Sequence, residues 1–390
     1  MFRMGNEEVE AVARVIASKE LFRVNEGLKE TDRFEEEWAE KIGCDFSILM
    51  SSGTGALISA LVGMGIGPGD EVIVPGYTFM ASASAVLAVG AIPVLAEIDE
   101  TMTIDTEDIE KKISSYTKAI IPVHICGYPC NMDKICDIAK RHNLYIIEDA
   151  CQADGGMYKG KRLGSIGDVG AFSFNYYKLI SAGEGGALVT NNKRAYDRAM
   201  IYHDGGAAFR PYASTFEEPV FMGTQMRTNE VSAAILRVQL TRMDGIIKDL
   251  KRIKSVFIEK LSSCDKFSIA PSHDIEGDLG TTISLQFKDG KSAKKFDEDK
   301  TIGGGLIVNS GKHVYYNWGP VMEHRGAHSE SVNPYNLPEN AKLNTHCSPD
   351  MLPVTNNIVE RTYNIGLHCD WTDEEVNTKI NAILKRASEI

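Results

Sequence analysis

The stretch Ala171–Asn191, AFSFNYYKLISAGEGGALVTN, constrains this chain more than any other. Its ends read as two buried strands, Ala171–Phe174 and Ala187–Thr190, because small and apolar residues run there without a charge. Between them lie a short turn and the bend Gly183-Glu184-Gly185-Gly186, where glycine lets backbone pass close to a ligand. Lys178 is the one cation in the stretch, set among Phe172, Phe174, Tyr176, Tyr177, Leu179 and Ile180. An ammonium taken out of water loses its proton more readily, and the neutral amine attacks carbonyls. The other reading is a loop lysine that lays its stem over apolar neighbours and keeps its head in water. The stretch by itself leaves both open.

With 390 residues, 43% hydrophobic and 25% charged, the chain has an ordinary globular composition and room for two domains. Its net charge of −12 argues against a nucleic-acid partner, which needs a basic face. No apolar run reaches the length of a membrane span, and the acidic start MFRMGNEEVE does not read as a secretory signal. The expectation is a cytoplasmic protein without a membrane partner. The eight scattered cysteines suit reduced thiols better than a disulfide framework. His124, Cys126 and Cys130 crowd together in VHICGYPC, but the spacing fits no zinc knuckle and no second pair follows, so no metal site is expected.

Along the chain, helices are expected at Glu7–Lys19 and Thr31–Ile42, then a strand at Ser47–Met50. Ser51-Ser52-Gly53-Thr54-Gly55-Ala56 follows and opens an apolar helical pattern. Strand, Ser/Gly/Thr turn and helix N-terminus make an anion site, since free backbone N–H groups and the helix dipole both favour a phosphate. A simple N-capped helix is the alternative. Strands are expected at Glu71–Pro75, Ile92–Ala96, Ala119–Val123 and Leu144–Glu148, with helices at Ala81–Val89 and Asp133–His142. Phe79, just past a strand end, either stacks on a flat ring or fills core. In an open α/β sheet the ligand crevice lies beyond the carboxyl ends of the strands, and Asp149 and Gln152 of EDACQ fall there. A buried Asp needs a positive partner; capping the next helix is its other possible role. Helix is also expected at Arg194–Tyr202 and from Val231 onward. A long helix, Leu240–Leu261, reads as the bridge between a large domain, 1–245, and a smaller one, 246–390. The smaller one alternates strands (Thr282–Phe287, Ile307–Val308) with helices (Ser292–Asp297, Asp373–Ala387). Gly311–Asn340, rich in His, Asn, Tyr, Trp and Gly, suits a mobile or substrate-facing loop.

A phosphate turn, a flat aromatic, an Asp at a strand end and then a Lys, in that order on a βα sheet, resemble the DegT/DnrJ-type sugar aminotransferases. The resemblance covers most of the chain and is densest from Ser51 to Leu240. It implies an aspartate-aminotransferase-like α/β fold, PLP fold type I. Such a fold has a large domain with a mostly parallel seven-stranded sheet and a smaller C-terminal α/β domain. It implies pyridoxal 5′-phosphate (PLP) as cofactor, L-glutamate as amino donor and a keto- or aldehydo-sugar as acceptor. SSGTGAL resembles the family's phosphate turn, so Gly53, Thr54 and Gly55 would hold the phosphate. PGYTFMAS resembles its aromatic segment, which sets Phe79 against the ring. EDACQA carries its Asp and Gln, pairing Asp149 with the ring nitrogen and Gln152 with the ring hydroxyl. FSFNYYKLISAGEGG carries its Ser and Lys, so Ser173 would contact the phosphate and Lys178 would be the catalytic lysine that anchors the cofactor. Part of the family has His at that position and dehydrates; Lys178 implies transamination.

The resemblance also implies a homodimer with shared active sites. The family's Gly-x-Asn-x-Arg segment reaches the neighbouring subunit's cofactor, and here it stands as Gly223-x-Gln225-x-Arg227. Gln225 would make that contact with a longer arm. Arg23, Arg227 and His313 are expected at a donor or substrate carboxylate, with ordinary structural roles equally open. His203 and His124 are expected to be satisfied structural residues. The family's usual Arg–Tyr–Pro–His signature is missing, and KHVYYNWGPVMEH, Lys312 to His324, stands in its place. With LAEIDET, VHICG and EDACQADGG, that variant is similar to the branch that aminates C8 of a 3-deoxy-octulosonate sugar acid. Two rivals remain: a PLP-dependent lyase or desulfurase, with Cys264 and Cys347 as the only loop-like thiols, and a non-catalytic PLP- or sugar-sensing regulator.

Overall fold

The computed structural model describes residues 2–327 and 329–390. Two amphipathic helices come first, α1 (Asn6–Ser18) and α2 (Glu30–Ile42). α2 buries Phe34, Trp38 and Ile42 on one face and stops at Gly43, whose φ of 86° only glycine adopts cheaply. Strands and helices then alternate: β1 (Phe46–Met50), α3 (Gly53–Gly63), β2 (Glu71–Pro75), α4 (Ala81–Ala88), β3 (Ile92–Ala96), α5 (Thr106–Lys112), β4 (Thr117–Ile120), α6 (Met132–His142) and β5 (Tyr145–Asp149). A small hairpin of β6 (Met157–Tyr158) and β7 (Lys161–Arg162) leads to β8 (Val169–Ser173), β9 (Gly186–Thr190) and α7 (Lys193–His203).

The main sheet has seven strands in the order β1-β9-β8-β5-β4-β2-β3. Only β9 runs antiparallel to its neighbours. Its strands are buried on both faces, so they read as continuous apolar runs rather than alternating ones. α8 (Glu230–Leu261) is a single 32-residue helix, N-capped by Asn229, whose side chain accepts the Ser232 N–H. It unites the two helical readings, and the 245/246 boundary falls inside it. Gly245 does not interrupt it.

Beyond α8, four strands, β10 (Phe267–Ile269), β11 (Thr282–Phe287), β12 (Gly305–Leu306) and β13 (Thr362–Gly366), form an antiparallel sheet in the order β10-β11-β13-β12. α9 (Gly290–Asp297), α10 (Gly319–Met322), α11 (Pro353–Arg361) and α12 (Asp373–Ser388) complete this region. The strand expected at Ile307–Val308 is instead a 3₁₀ turn, Ile307–Ser310. β12 pairs with β13 through two residues only, after which Ile307 turns into the core. Gly311–Asn340 is not an open loop either. Val314, Tyr315 and Trp318 are buried, and the Thr78 and Met80 N–H groups donate to the His313 and Lys312 carbonyls at 2.9 and 3.1 Å. One apolar cluster runs from Phe34, Trp38 and Phe172 through Met243, Leu250 and Phe257 of α8 to Phe287, Phe296 and Tyr363, so both halves share a core. No helix among the described residues is long and apolar enough to cross a membrane.

Candidate active site

A cleft of about 580 Å³ opens at the carboxyl ends of the parallel strands. One end is the turn from β1 into α3. Ser52 is the N-cap, and its Oγ accepts the Gly55 N–H at 3.0 Å. Gly53 and Thr54 begin the helix at the cleft wall, so its unpaired N–H groups and dipole are offered there. Glycine is required at two places. A Cβ on Gly53 would lie 2.8 Å from Cys151 Sγ and from Ser173 Cβ. A Cβ on Gly186 would lie 2.3 Å from the Ser52 carbonyl carbon and 2.5 Å from the Gly53 nitrogen. The bend before β9 therefore makes room for the anion turn itself, where the sequence reading had it make room for a ligand.

Asp149 ends β5 on the cleft floor. Its Oδ2 accepts from Ser82 Oγ at 2.7 Å and its Oδ1 from the Cys151 N–H at 3.2 Å. Ser82 Oγ is also 2.9 Å from Thr78 Oγ1. Ser82 has one proton and spends it on Asp149, so Thr78 donates to Ser82 and the chain has a direction. Gln152 Oε1 accepts the Cys126 N–H at 3.1 Å, which fixes the side chain at the wall. Phe79 is 37% exposed although apolar, and its ring lines the cleft. Lys312 Nζ lies 5.4 Å from its centroid and the His313 ring 5.8 Å. Burial, Lys312 and Lys178 together hold the His313 imidazole below its usual range.

Lys178 sits on the β8–β9 loop. That loop closes on itself through the Lys178 N–H to the Asn175 carbonyl (3.0 Å) and the Ala182 N–H to the Phe174 carbonyl (3.2 Å). The lysine, Ser173, Asp149, Gln152 and Phe79 line the same cleft. The greasy surround expected for Lys178 is absent. Side chains alternate along a strand, so Phe172 and Phe174 share the face opposite Ser173 and pack edge-on against Trp38 at 5.0 and 5.1 Å. Tyr177 is 75% exposed, and Tyr176 is exposed too. What shares the cleft with Lys178 is polar, including Asp154, which is buried and has no partner for Oδ1 among the described residues. Burial holds the Asp154 carboxyl well above the usual carboxylate range, and Lys178 is the charge that opposes this.

Three expected residues lie elsewhere. Arg23 is buried in a bidentate pair with Glu35, at 2.6 and 3.0 Å, and donates to the Leu49 carbonyl at 3.2 Å. Arg227 is bound to Asp204 and lies 5.4 Å from the Phe22 ring. Both were expected at a substrate carboxylate; both are already committed to a carboxylate of the chain itself. Gln225 is exposed and its backbone bridges to Asp204, away from this chain's cleft lining. In VHICGYPC, His124 Nε2 meets Glu148 at 3.0 Å and Nδ1 accepts the Cys130 N–H at 3.1 Å, a structural role. His203 is only half satisfied. Its Nδ1 is 2.8 Å from the Met200 carbonyl, its Nε2 has no partner among the described residues, and burial pushes the imidazole down to about 3.

Sequence reasoning passed over Thr78 and Ser82, although their four-residue spacing at a helix start was visible. It passed over Asp154 and Lys312 as site residues. It had no local signal for Leu279, Thr281 and Thr282, which reach the cleft from beyond α8.

The DegT/DnrJ/EryC1/StrS aminotransferase family matches residues 3–384. GDP-perosamine synthase from Escherichia coli O157:H7 is 39% identical over 259 residues, which cover 64% of this chain and 70% of that one. dTDP-3-amino-3,4,6-trideoxy-alpha-D-glucose transaminase from Streptomyces venezuelae is 42% identical over 218 residues, 55% of this chain and 56% of that one. For several curated relatives the chain matches less than two thirds of their length. The X-ray structure of the aminotransferase from Psychrobacter cryohalolentis is similar with a TM-score of 0.81 at 29% identity, over 100% of this chain and 98% of that one. The chain therefore belongs to the DegT/DnrJ/EryC1/StrS family of PLP-dependent aminotransferases and has their α/β fold.

Proposed function

We propose that this protein transfers an amino group from L-glutamate to a keto- or aldehydo-sugar, with PLP held in the cleft. The observation that carries this is the meeting of Lys178, Asp149, Gln152, Ser173, Phe79 and the α3 N-terminus around one space of about 580 Å³. The residues fit the group. An anion end, a half-exposed flat ring, a buried carboxylate and one amine stand where a phosphorylated pyridine carbaldehyde needs them. Bound there, PLP supplies the electron sink that allows a Cα–H bond of the donor to be broken.

The chain's own parts divide the work. Gly53, Thr54, Gly55 and Ser173 hold the phosphate. Phe79 covers one face of the ring. Asp149, oriented by Ser82 and Thr78, pairs with the ring nitrogen, and Gln152 offers its amide to the ring hydroxyl. Lys178 anchors the aldehyde carbon; once displaced by the donor, its amine moves the Cα proton. Arg23 and Arg227 are not assigned to substrate. His313 and Lys312 take that place, because Lys312 has no carboxylate partner among the described residues and stands at the cleft wall. An anionic acceptor suits them: a sugar acid such as a 3-deoxy-octulosonate, or a nucleotide-linked keto-sugar. The amino sugar would serve polysaccharide or lipopolysaccharide synthesis in the cytoplasm.

A second copy of the chain belongs to this reading. Phe209 and Met222 are exposed large apolar side chains on the segment that leads to the exposed Gln225. A homodimer would cover them and bring Gln225 to the partner's cofactor phosphate.

Purified protein should be yellow, and Lys178→Ala should lose the visible absorbance of the lysine-bound cofactor. A glutamate-coupled screen of keto-sugars then reads the acceptor. A wild type that stays colourless with added PLP would count decisively against the proposal.

A further inference from the structure

Asp154 is the buried carboxyl of the cleft that the structure leaves without a hydrogen bond. It is 1% exposed, and Oδ1 meets no partner among the described residues. A tight turn fixes it. The Ala153 N–H donates to the Ala150 carbonyl and the Gly156 N–H to the Ala153 carbonyl, both at 2.9 Å. Gly155, at φ 84°, packs so closely on α8 that a Cβ would meet Ile247 Cδ1 at 2.8 Å and Met243 Cε at 3.0 Å. The turn cannot rotate the carboxyl away. A buried, unpartnered acid is costly, and native chains retain such groups where they are used.

The groups around it come from every wall. Cys151 and Asp149 belong to its own strand end, Cys126 to the segment after β4, and Lys178 and Glu184 to the β8–β9 loop; His313 and Lys312 come from the far side. Lys178 is the one charge among them that acts on Asp154. Burial keeps the Cys151 thiol protonated as well.

We propose that Asp154 is the docking partner of the Lys178 amine whenever that amine is free of the cofactor. This rests on the reading of Lys178 as the covalent anchor. While Lys178 is engaged, Asp154 keeps its proton. On release, the carboxyl O–H bond breaks and an N–H bond forms on the amine. The proton moves within the pair, with no change of net charge and no redox partner. The ion pair holds the lysine in the cleft, and the proton returns to Asp154 when the amine must act as a base. Asp154 is a positioning residue, acting through Lys178.

Hydroxylamine takes PLP off a lysine without requiring sugar or amino donor. Infrared difference spectra of the PLP-loaded protein, before and after hydroxylamine, should show loss of a protonated-carboxyl stretch. Asp154→Asn should lack that signal, and Asp154→Glu should show it at a shifted frequency. A second readout is the pH profile for PLP bonding to Lys178 in stripped protein. The Asp154→Asn profile should shift, with bonding slowed about tenfold at neutral pH, and Asp154→Glu should recover part of the loss. No carboxyl signal in the wild type, or an unchanged signal and profile in Asp154→Asn, would overturn the proposal. A wild type that takes up no PLP at all would instead defeat the functional reading.

Discussion

Gly186→Ala should damage both the fold and the cofactor site, and its size can be worked from the geometry. Gly186 pairs with Met50 of β1 on one side and Ser173 of β8 on the other. An added Cβ would lie 2.3 Å from the Ser52 carbonyl carbon, 2.4 Å from its oxygen and 2.5 Å from the Gly53 nitrogen. Carbon atoms rest at about 3.5–4.0 Å, so something must move by about 1 Å. All three obstacles are backbone, and both partner strands hold β9 in register. Overpacking costs about 1–3 kcal/mol, and rigid obstacles put this case near about 3 kcal/mol. If the turn yields instead of the strand, the phosphate end shifts, and a loss of about 3 kcal/mol there is roughly a hundredfold in PLP affinity. Denaturant unfolding of the stripped protein reads the first effect, and an absorbance titration with PLP reads the second. Gly245→Ala is the control. Gly245 is exposed in α8 with nothing within 4 Å of an added Cβ. Alanine there should stabilise by about 0.8–1.0 kcal/mol through helix propensity alone. A Gly186→Ala protein that unfolds within about 0.5 kcal/mol of wild type, with unchanged PLP affinity, would refute the steric reasoning.

Two further outcomes follow from buried charges. Arg23→Ala strands Glu35 without its partner in the core and should cost about 3–5 kcal/mol in denaturant unfolding. The KM for the donor in the folded fraction should not change; a raised KM with unchanged stability would return Arg23 to the substrate site. Asp154 sets a pH dependence. Its carboxyl is raised by burial, so the folded chain keeps a proton that the unfolded chain has released. Wild-type stability therefore falls as pH rises from the ordinary carboxylate range toward the raised value. Asp154→Asn has no such proton, so its melting temperature should gain on wild type steadily between about pH 5 and about pH 8. A constant offset across that range would contradict a proton-bearing Asp154.

The parallel strands were legible because burial on both faces leaves uncharged runs, and their ends located Asp149, Gln152 and Ser173. The α3 turn was legible from its capping chemistry. Arg23 was not. A sequence displays a charge but not the carboxylate it meets, and Glu35 lies on a helix while Arg23 lies in a loop. Leu279, Thr281 and Thr282 were invisible for a related reason: α8, with 32 residues between them and the first domain, decides what they touch.

The surround of Lys178 shows why adjacency misleads. Six apolar neighbours in sequence suggested an amine tuned by desolvation. Strand alternation sends Phe172 and Phe174 to Trp38, and loop closure leaves Tyr176 and Tyr177 in solvent. The lysine is left among a carboxylate that is fully hydrogen-bonded, Asp149, and a carboxyl that is not, Asp154. Asp149 is held by Ser82 and the Cys151 N–H and is committed to the cleft floor, so it cannot also serve the moving amine. Asp154 has a free oxygen and no other cation acting on it. Control of the amine therefore has to come from a proton exchanged with one buried acid, and the two carboxyls, five residues apart on one strand end and turn, divide the tasks of holding a ring and holding a lysine.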